Sequence, residues 1–262
     1  MKKIGIIGYG FVGKRLADKL SKKCKVIVYD KKISEDYPFQ ELELCDFVMI
    51  CVDTPSNNDG SVNIKNVEEA IKTVPNTKIL LRSTVPPGTT DYLCDKYHKN
   101  ICFAPEYVGE SVFIASSWED FEKRGSFFIL GGEERNCSLF RDDIEYIYGP
   151  YATIMQMKAS EAELVKYMEN SYFALKISFV NEFRNLAEFL GLNWNSVREG
   201  WLLDARIERD HTSAFKESPG YAGKCLPKDV SGIIKFAENK KYHMEIMEAV
   251  QKFNDSLLKH RR

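Results

Sequence analysis

A glycine-rich turn between an apolar run and a helical repeat limits the folds open to this chain. The apolar run Lys3–Ile7 is followed at once by Gly8-Tyr9-Gly10-Phe11-Val12-Gly13, and Val12, Leu16 and Leu20 then repeat at helical spacing. This pattern predicts a strand, a tight turn and a helix. The first glycine permits the turn, the second lets the backbone approach a pyrophosphate, and the third lets the helix pack on the strand.

A second strand and an acidic residue extend this pattern. Lys25–Tyr29 predicts a strand that ends at Asp30, near the offset of about 20 residues at which dinucleotide-binding folds place a ribose-binding acid. Asp30 would repel a 2′-phosphate and so favours NAD over NADP, while Lys31 and Lys32 act against that preference. The alternative for Asp30 is a solvated turn carboxylate. The turn residues expected to bind the cofactor are Gly8, Gly10, Phe11, Val12 and Gly13.

Apolar runs and helix-like stretches alternate through the first half of the chain. The runs are Phe47–Val52, Lys78–Arg82, Ile101–Ala104 and Phe127–Leu130, and the helical stretches lie near Val62–Thr73, Thr89–Tyr97 and Ser138–Ile147. Such alternation predicts a parallel sheet with helices on both faces. Thr54 and Thr84 follow two of these strands, at the strand ends where open α/β sheets bind ligands.

The second half of the chain is predicted to be helical. A capping box at Ser160 and Glu163 precedes apolar residues that step by three or four as far as Gly191, a helix stop. A helix of roughly 30 residues extends about 45 Å, longer than a small domain needs, so we expect part of its apolar face to pack on a second copy in a homodimer. Further helices are predicted at Ser196–Leu203, Pro227–Asn239 and His243–Leu258.

These patterns predict an α/β fold in two domains. A Rossmann-like NAD-binding domain with a parallel sheet is expected over residues 1–157. An all-helical central domain with one long helix, which also forms the dimer, is expected over residues 158–262.

The segment Gly220–Asp229 places Cys225 just ahead of a helix that is predicted to begin at Pro227. Pro227 suits the first helical position, so the unpaired amides and the positive end of the helix dipole would face Cys225. Lys224 and Lys228 add positive charge. Such surroundings lower the pKa of a thiol and make it a nucleophile. The alternative is a buried structural cysteine.

Composition excludes several classes of function. The chain has 262 residues, 44% of them hydrophobic, and a formal net charge of −1, so it has no global field that attracts nucleic acid or a membrane surface. The 7 cysteines show neither CxxC nor metal-ligand spacing, which argues against a disulfide framework and against a metal site. No stretch is long and apolar enough to span a bilayer. A reducing cytoplasm fits this composition best.

Several separated motifs resemble those of the UDP-glucose/GDP-mannose dehydrogenase family. They run almost end to end: Ile4–Gly13, Val52–Pro55, Ser83–Thr90, Ala104–Val108, Ser160–Glu182, Asp204–Ile207 and Gly220–Asp229. Enzymes of this family oxidise a sugar-nucleotide alcohol twice, to a uronic acid, and use two NAD. The resemblance therefore implies a sugar nucleotide such as UDP-glucose as substrate.

The resemblance also implies residue roles. Cys225 would attack the aldehyde made in the first oxidation and carry the thiohemiacetal and thioester that follow. Lys166 and Asn170 would stabilise the developing oxyanion. Asp229, with Thr84 and Glu106, would position or deprotonate the hydrolytic water. The residues implied to bind substrate are Glu106, Lys166, Asn170, Gly220, Gly223 and Arg206, the last acting from a neighbouring subunit; those implied to bind cofactor include Thr54, Thr84 and Lys228.

The sequence also departs from the family pattern. Ala222 replaces a usual glycine, Asp53 stands where a small or neutral residue is usual, and Glu110 is followed by Ser111 instead of glycine. Glu208–Ser218 lacks the asparagine-rich loop that holds the sugar in UDP-glucose enzymes, so the hexose stays open. The family pattern continues beyond Asn254 into a third, nucleotide-gripping domain, so we expect an enzyme reduced to two domains.

Two alternative functions stay open. One follows from the expected lack of a third domain, and the other from Lys166 and Asn170, a pair that β-hydroxyacid dehydrogenases also use. The first is a non-catalytic NAD-binding or oligomerisation protein that cannot hold substrate. The second is a single-step β-hydroxyacid dehydrogenase, which would use Lys166 and Asn170 for one oxidation and leave Cys225 idle. The intact motif around Cys225 favours the two-step enzyme over both.

Overall fold

The computed structural model describes residues 1–107, 127–150 and 152–259. These residues form two compact units. The first contains residues 1–57, 62–107, 127–150 and 152–166, and the second contains residues 58–61 and 167–259. The division between the units falls inside the long helix, a short distance after the domain boundary predicted between residues 157 and 158.

The first unit is built on a sheet of seven strands among the described residues. The strands are β1 Lys3–Ile7, β2 Lys25–Tyr29, β3 Phe47–Ile50, β4 Ile79–Leu81, β5 Ile101–Phe103, β6 Phe127–Gly131 and β7 Thr153–Met157. They lie in the order β2-β1-β3-β4-β5-β6-β7. Strand β6 is antiparallel to β5 and parallel to β7, and the pairs from β2 to β5 are parallel. The predicted parallel sheet is confirmed, and the sequence analysis missed β7.

Helices cover both faces of this sheet, as predicted. They are α1 Phe11–Leu20, α2 Phe39–Glu43, α3 Lys65–Thr73, α4 Thr89–Tyr97 and α5 Glu134–Tyr148. Alternate residues of β3 enter two different apolar clusters, because successive side chains of a strand point to opposite faces. Phe47 and Met49 pack with residues of α1 and α5, whereas Val48 and Ile50 pack with residues of α3 and α4.

The long helix α6 spans Ala159–Phe189, which confirms its prediction. Its end is followed by Gly191, whose φ of 68° lies in the left-handed region that a helix stop requires. The second unit adds α7 Trp194–Trp201, α8 Cys225–Asn239 and α9 Glu245–Lys259. An apolar core joins α6, α8 and α9 and is formed by Ala174, Tyr221, Val230, Ile234, Met247 and Val250. None of the helices in the described part of the chain is long and apolar enough to cross a membrane.

Helix α8 begins two residues earlier than the sequence predicts. Cys225 is its first residue, and Lys224 before it already has right-handed helical backbone angles, with φ −92° and ψ −34°. Pro227 therefore lies inside the first turn. Proline is tolerated there because the first four amides of a helix lack partners within the helix in any case.

The predicted capping box at Ser160 and Glu163 is wrong. Helix α6 begins at Ala159, and Glu161 accepts the hydrogen bond from the Lys158 amide, at 2.9 Å. Glu163 instead binds the loop that contains Gly88 and Thr90, far from it in sequence.

Glu163 caps helix α4. Its Oε2 accepts the Gly88 amide at 2.5 Å, and its Oε1 accepts the Thr90 amide at 2.8 Å and the Thr90 hydroxyl at 2.6 Å. Gly88, at the N-cap position with a φ of 90°, has no side chain for this purpose. Glu163 is fully buried, and burial raises the pKa of its carboxyl to about 7, more than these three hydrogen bonds lower it.

Glu163 should make the stability of the protein depend on pH. The folded protein holds the proton of the Glu163 carboxyl more tightly than the unfolded chain does. The contribution of the protonated carboxyl to stability is therefore complete below about pH 4.5 and is lost as the pH rises to about 7. We expect the free energy of unfolding of the wild type, minus that of Glu163→Gln, to fall by on the order of 3 kcal/mol across this range. Urea denaturation followed by circular dichroism measures it. Glu161→Gln is the control, and a difference that stays flat or rises would contradict the assignment.

Candidate functional site

The carboxyl ends of β1 and β3 lie at the point where the strand order reverses. From β1 the chain crosses to β2 on one side and then to β3 on the other. Loops at such a point diverge and leave a crevice in which open α/β sheets bind ligands. The glycine turn follows β1 and Thr54 follows β3, so these predicted cofactor residues lie at the strand ends that border the crevice.

The glycines of the turn fit a dinucleotide. Gly8 has a φ of 94°, and an added Cβ would lie 2.7 Å from the Cys51 backbone. An added Cβ on Gly13 would lie 1.9 Å from the Gly8 carbonyl oxygen. An added Cβ on Gly10 would meet no described atom within 4 Å. The turn is therefore packed closely on the sheet and open at Gly10, where a phosphate would approach the backbone and the first amides of α1.

Asp30 lies beside this turn. Its Oδ2 accepts the Tyr9 amide at 2.7 Å, and its Oδ1 accepts the Lys32 amide at 2.8 Å. The carboxylate therefore ties the end of β2 to the glycine turn. The Lys31 ammonium contacts the Asn66 side-chain oxygen at 3.1 Å and the Glu69 carboxylate at 3.5 Å. Phe11 and Val12 begin α1.

The loops after β3 and β4 are joined to each other. The hydroxyl of Thr54, which is buried, donates to the Thr84 carbonyl at 2.9 Å. The Ser83 hydroxyl donates to the Val52 carbonyl at 2.7 Å. The structure thus brings together the two threonines that the sequence analysis assigned to the cofactor.

Glu106 follows β5 and pairs with Arg82 at the end of β4. The side chains of Arg82 and Glu106 are only 4% and 8% exposed, and a guanidinium nitrogen of Arg82 bonds Glu106 Oε2. Glu106 Oε1 accepts the Tyr107 amide at 2.9 Å. The Arg82 guanidinium also lies over the Phe128 ring, 5.1 Å from its centroid. Sequence analysis missed Arg82, although a charged residue at the end of an apolar run is a signal for it.

Lys166 lies on α6 within the first unit. Its ammonium is 5.2 Å from the centroid of the Tyr107 ring, close enough for a cation–π interaction. Glu106 and Lys166 therefore have Tyr107 as a common neighbour. Val108, the last residue of that predicted motif, lies outside the described residues, as do Glu110 and Ser111.

The second unit holds the remaining charged and amide groups of the predicted site. The Asn170 side-chain amide donates to Asp229 Oδ2 at 2.5 Å, and the Lys228 ammonium pairs with Asp229 Oδ1. Asn170 and Asp229 are buried, whereas Cys225 is exposed. Cys225 precedes Asp229 by four residues on α8, so the two lie on the same face of the helix, one turn apart.

The other predicted substrate residues lie in the segment before α8. Gly220 and Gly223 have φ values of 74° and 86°, which only glycine adopts readily. Arg206 is 87% exposed and pairs with Asp204, through nitrogen–oxygen distances of 3.0 Å and 2.6 Å. In the described residues it contacts no other predicted site residue. No group of three or more His, Cys, Asp or Glu side chains in the described part of the chain is arranged to hold a metal ion.

Two models of one protein family match the chain. The NAD binding domain of the UDP-glucose/GDP-mannose dehydrogenase family matches residues 32–151, and the central domain of that family matches residues 160–256. The chain belongs to the UDP-glucose/GDP-mannose dehydrogenase family. Its first unit is the NAD-binding domain, which agrees with the glycine turn and with Asp30.

Individual relatives agree with this assignment. The solved structure of a UDP-glucose dehydrogenase from Pyrobaculum islandicum is 30% identical, covers 98% of this chain and 68% of that chain, and superposes with a TM-score of 0.80. The UDP-glucose 6-dehydrogenase of Rickettsia prowazekii is 32% identical over 223 residues, 80% of this chain and 49% of the relative. The UDP-glucose 6-dehydrogenase YwqF of Bacillus subtilis is 28% identical over 229 residues, 82% of this chain and 50% of the relative. The chain spans about half the length of the curated relatives it matches.

Breaking the buried ion pair of this dehydrogenase-family chain should destabilise it strongly. Arg82→Met leaves the Glu106 carboxylate buried without its guanidinium, and removal of one partner of such a pair typically costs about 3–5 kcal/mol. We expect the double variant Arg82→Met, Glu106→Gln to recover much of that loss, which urea denaturation measures. Arg135→Met, in an exposed pair with Glu133, is the control. A loss below about 1 kcal/mol for Arg82→Met would contradict this interpretation.

Proposed function

We propose that this chain oxidises the primary alcohol of a sugar nucleotide, of the UDP-glucose type, to a uronic acid with NAD. One observation carries the proposal. Cys225 is exposed at the first turn of α8, one turn before the buried Asp229 that binds Asn170 and Lys228. A reactive thiol beside a buried polar network is suited to a covalent intermediate, which a single oxidation does not need.

The first unit provides the residues for the cofactor. Gly8, Gly10 and Gly13 leave room for the pyrophosphate, and Phe11 and Val12 bring the first amides of α1 toward it. Asp30 accepts the ribose hydroxyls of NAD. Glu69 lies close to the ammonium of Lys31, which leaves that charge less able to attract a 2′-phosphate and supports NAD over NADP. Thr54 and Thr84, joined by their hydrogen bond, border the same crevice. NAD, when bound, accepts one hydride in each of the two oxidations.

The second unit provides the nucleophile. The Cys225 thiolate adds to the carbonyl carbon of the aldehyde from the first oxidation, and protonation of the oxygen gives a thiohemiacetal. Loss of a hydride from that carbon and of the proton from its hydroxyl group gives a thioester. Water then cleaves the carbon–sulfur bond and releases the acid and the thiol. The intermediate stays attached between the two oxidations, so free aldehyde does not escape.

Charged and amide groups act around the reacting carbon. Lys166 and Asn170 are one turn apart on α6 and serve as cation and amide donor to the oxyanion. Asp229 positions the hydrolytic water with Thr84 and Glu106, and Arg82 holds the Glu106 carboxylate in place. Lys228 assists at the cofactor, and Gly220, Gly223 and Arg206 contact the substrate. The seven cysteines all lie in the described residues and form no disulfide there, which supports a reducing compartment such as the cytoplasm.

The stoichiometry of NADH tests the mechanism. A screen of sugar nucleotides with the full chain should find a substrate that yields two NADH for each acid formed. Cys225→Ala should abolish acid formation and leave the affinity for NAD nearly unchanged, because the glycine turn lies in the other unit. Cys94→Ala, in the first unit, is the matched control.

Each alternative predicts a different result. One NADH per oxidised molecule, with Cys225→Ala as active as the wild type, would identify a single-step dehydrogenase and overturn the proposal. NAD binding without NADH release from any sugar nucleotide would identify a non-catalytic protein.

We also propose that the chain forms a homodimer through α6. Its exposed apolar side chains include Met168 at 73% and Phe189 at 85% exposure. The α6 stripe consists of Met168, Tyr172, Phe179, Phe183, Leu186 and Phe189 on the helix and Leu190 directly after it. A continuous apolar surface of this length marks an association site. A second copy would cover it, and the exposed Arg206 would be free to reach a neighbouring subunit.

Light scattering tests the dimer. We expect a mass near twice 30.1 kDa in dilute solution. The double variant Phe183→Glu, Leu186→Glu should give a monomer, because two desolvated carboxylates would oppose burial of the stripe. Phe39→Glu, at an exposed position of the first unit, is the control and should stay dimeric. A monomeric wild type would remove the proposal.

A further inference from the structure

Asn254 is a buried amide whose partners lie in the segment before the nucleophile. It lies on α9 and is 2% exposed. Its Oδ1 accepts the Tyr221 amide at 2.7 Å, and its Nδ2 donates to the Tyr221 carbonyl at 3.0 Å. One side chain thus satisfies both backbone polar groups of Tyr221, as a neighbouring strand would do.

A second buried asparagine holds the preceding residue. Asn181 of α6 is 1% exposed, and its Oδ1 accepts the Gly220 amide at 3.3 Å. Its Nδ2 donates to the Ile177 carbonyl at 2.8 Å, which fixes the orientation of the side chain. An added Cβ on Gly220 would lie 2.5 Å from Asn254 Oδ1, so glycine is required there by this contact as well as by its φ.

The side chain of Tyr221 is fixed independently of its backbone. The ring is 3% exposed and belongs to the apolar core of the second unit. Burial raises the pKa of its hydroxyl to about 12, so the ring stays neutral. Both the backbone and the ring of Tyr221 are therefore held, and only Ala222, Gly223 and Lys224 separate it from Cys225.

This anchorage matters because Cys225 is the first residue of α8. The first turn of a helix lacks half of its backbone hydrogen bonds and frays readily. Leu226 packs on the core while partly buried, and the buried residues of α8 begin at Asp229, one turn after Cys225. The segment before Cys225, which Asn254 and Asn181 hold, adds a restraint on the first turn from outside the helix.

The neighbours of Asn254 argue against a role in packing alone. Val250 and Leu257, one turn on either side of it on α9, are buried and apolar. A side-chain amide that is buried between apolar residues loses its hydrogen bonds to water. Its two hydrogen bonds to Tyr221 replace them, and the net gain in stability is only about 1 kcal/mol for each bond. An apolar side chain would fill the same space; what the amide adds is a fixed position for the backbone at Tyr221.

We propose that Asn254 is a positioning residue that, through Tyr221, keeps Cys225 in the ordered first turn of α8 with its thiol at the helix N-terminus. The proposal rests on the proposed function in that Cys225 is taken as the nucleophile. The test of this positioning role needs neither substrate nor cofactor. The positioning role and the proposed function can therefore fail separately.

The rate of Cys225 alkylation by iodoacetamide, measured against pH by mass spectrometry of the Cys225 peptide, tests the proposal. Asn254→Ala should make alkylation at pH 7 roughly tenfold slower and move the midpoint of the profile upward by about one unit, because a thiol in a frayed turn loses the field of the helix. Ile233→Ala is the control, since it truncates a buried side chain of α8 that does not belong to the apolar core around Tyr221. It should lower the unfolding midpoint and leave the alkylation profile unchanged.

Two results would overturn the proposal. One is an unchanged alkylation profile in Asn254→Ala; the other is an equal shift in Ile233→Ala, which would show that lost stability alone is responsible. Amide hydrogen exchange of the wild type is a second measurement that needs no variant. The Tyr221 amide should exchange as slowly as those in the middle of α9, and exchange at the rate of an open loop would also refute the proposal.

Discussion

Burial of the sheet on both faces is the constraint on which the first unit depends. Neighbouring residues of β3 enter different apolar clusters, so each face must be covered by helices. Parallel strands can then be joined only by crossovers, and every crossover returns the chain to the same edge of the sheet. The glycine turn, Thr54, Thr84 and Glu106 all follow strands at that edge. The predicted cofactor residues are thus brought together by the packing of the sheet, not by closeness in sequence.

The sheet brings several loops close to one another, and buried polar side chains then fix the conformation of those loops. Glu163 holds the start of α4, Arg82 holds Glu106, Asn170 holds Asp229, and Asn254 holds Tyr221, with partners between 24 and 75 residues apart. Each partner lies in a loop or in the first two turns of a helix. Apolar contacts are not directional, so they cannot set the orientation of a backbone amide or a carboxylate. Directional hydrogen bonds between buried groups can, because leaving such a group unpaired is costly.

The difference between local apolar patterns and long-range hydrogen bonds explains which features the sequence could predict. The bounds of α4 were predicted as found, and α6 was predicted within two residues at each end, because helical periodicity is a local signal. The capping box failed because Ser160 and Glu163 have the right spacing, but nothing local shows that Glu163 binds a loop 75 residues away. Arg82 and Asn254 were missed for the same reason: their partners are set by the fold. The start of α8 was misplaced because Pro227 suits any position of a first helical turn.

Cys225, the proposed nucleophile, shows why a reactive group would need such directional contacts. A thiol gains from the helix N-terminus only in the first turn, which is also where a helix is least ordered. Apolar burial of Cys225 would order it but would raise its pKa and close it to substrate. A rigid segment ahead of the helix avoids this conflict, because it orders the first turn from outside and leaves the thiol exposed. Gly220 permits the close approach, Asn254 fixes the backbone, and the core holds Tyr221, so by the proposal above Cys225 would be ordered through the segment that precedes it.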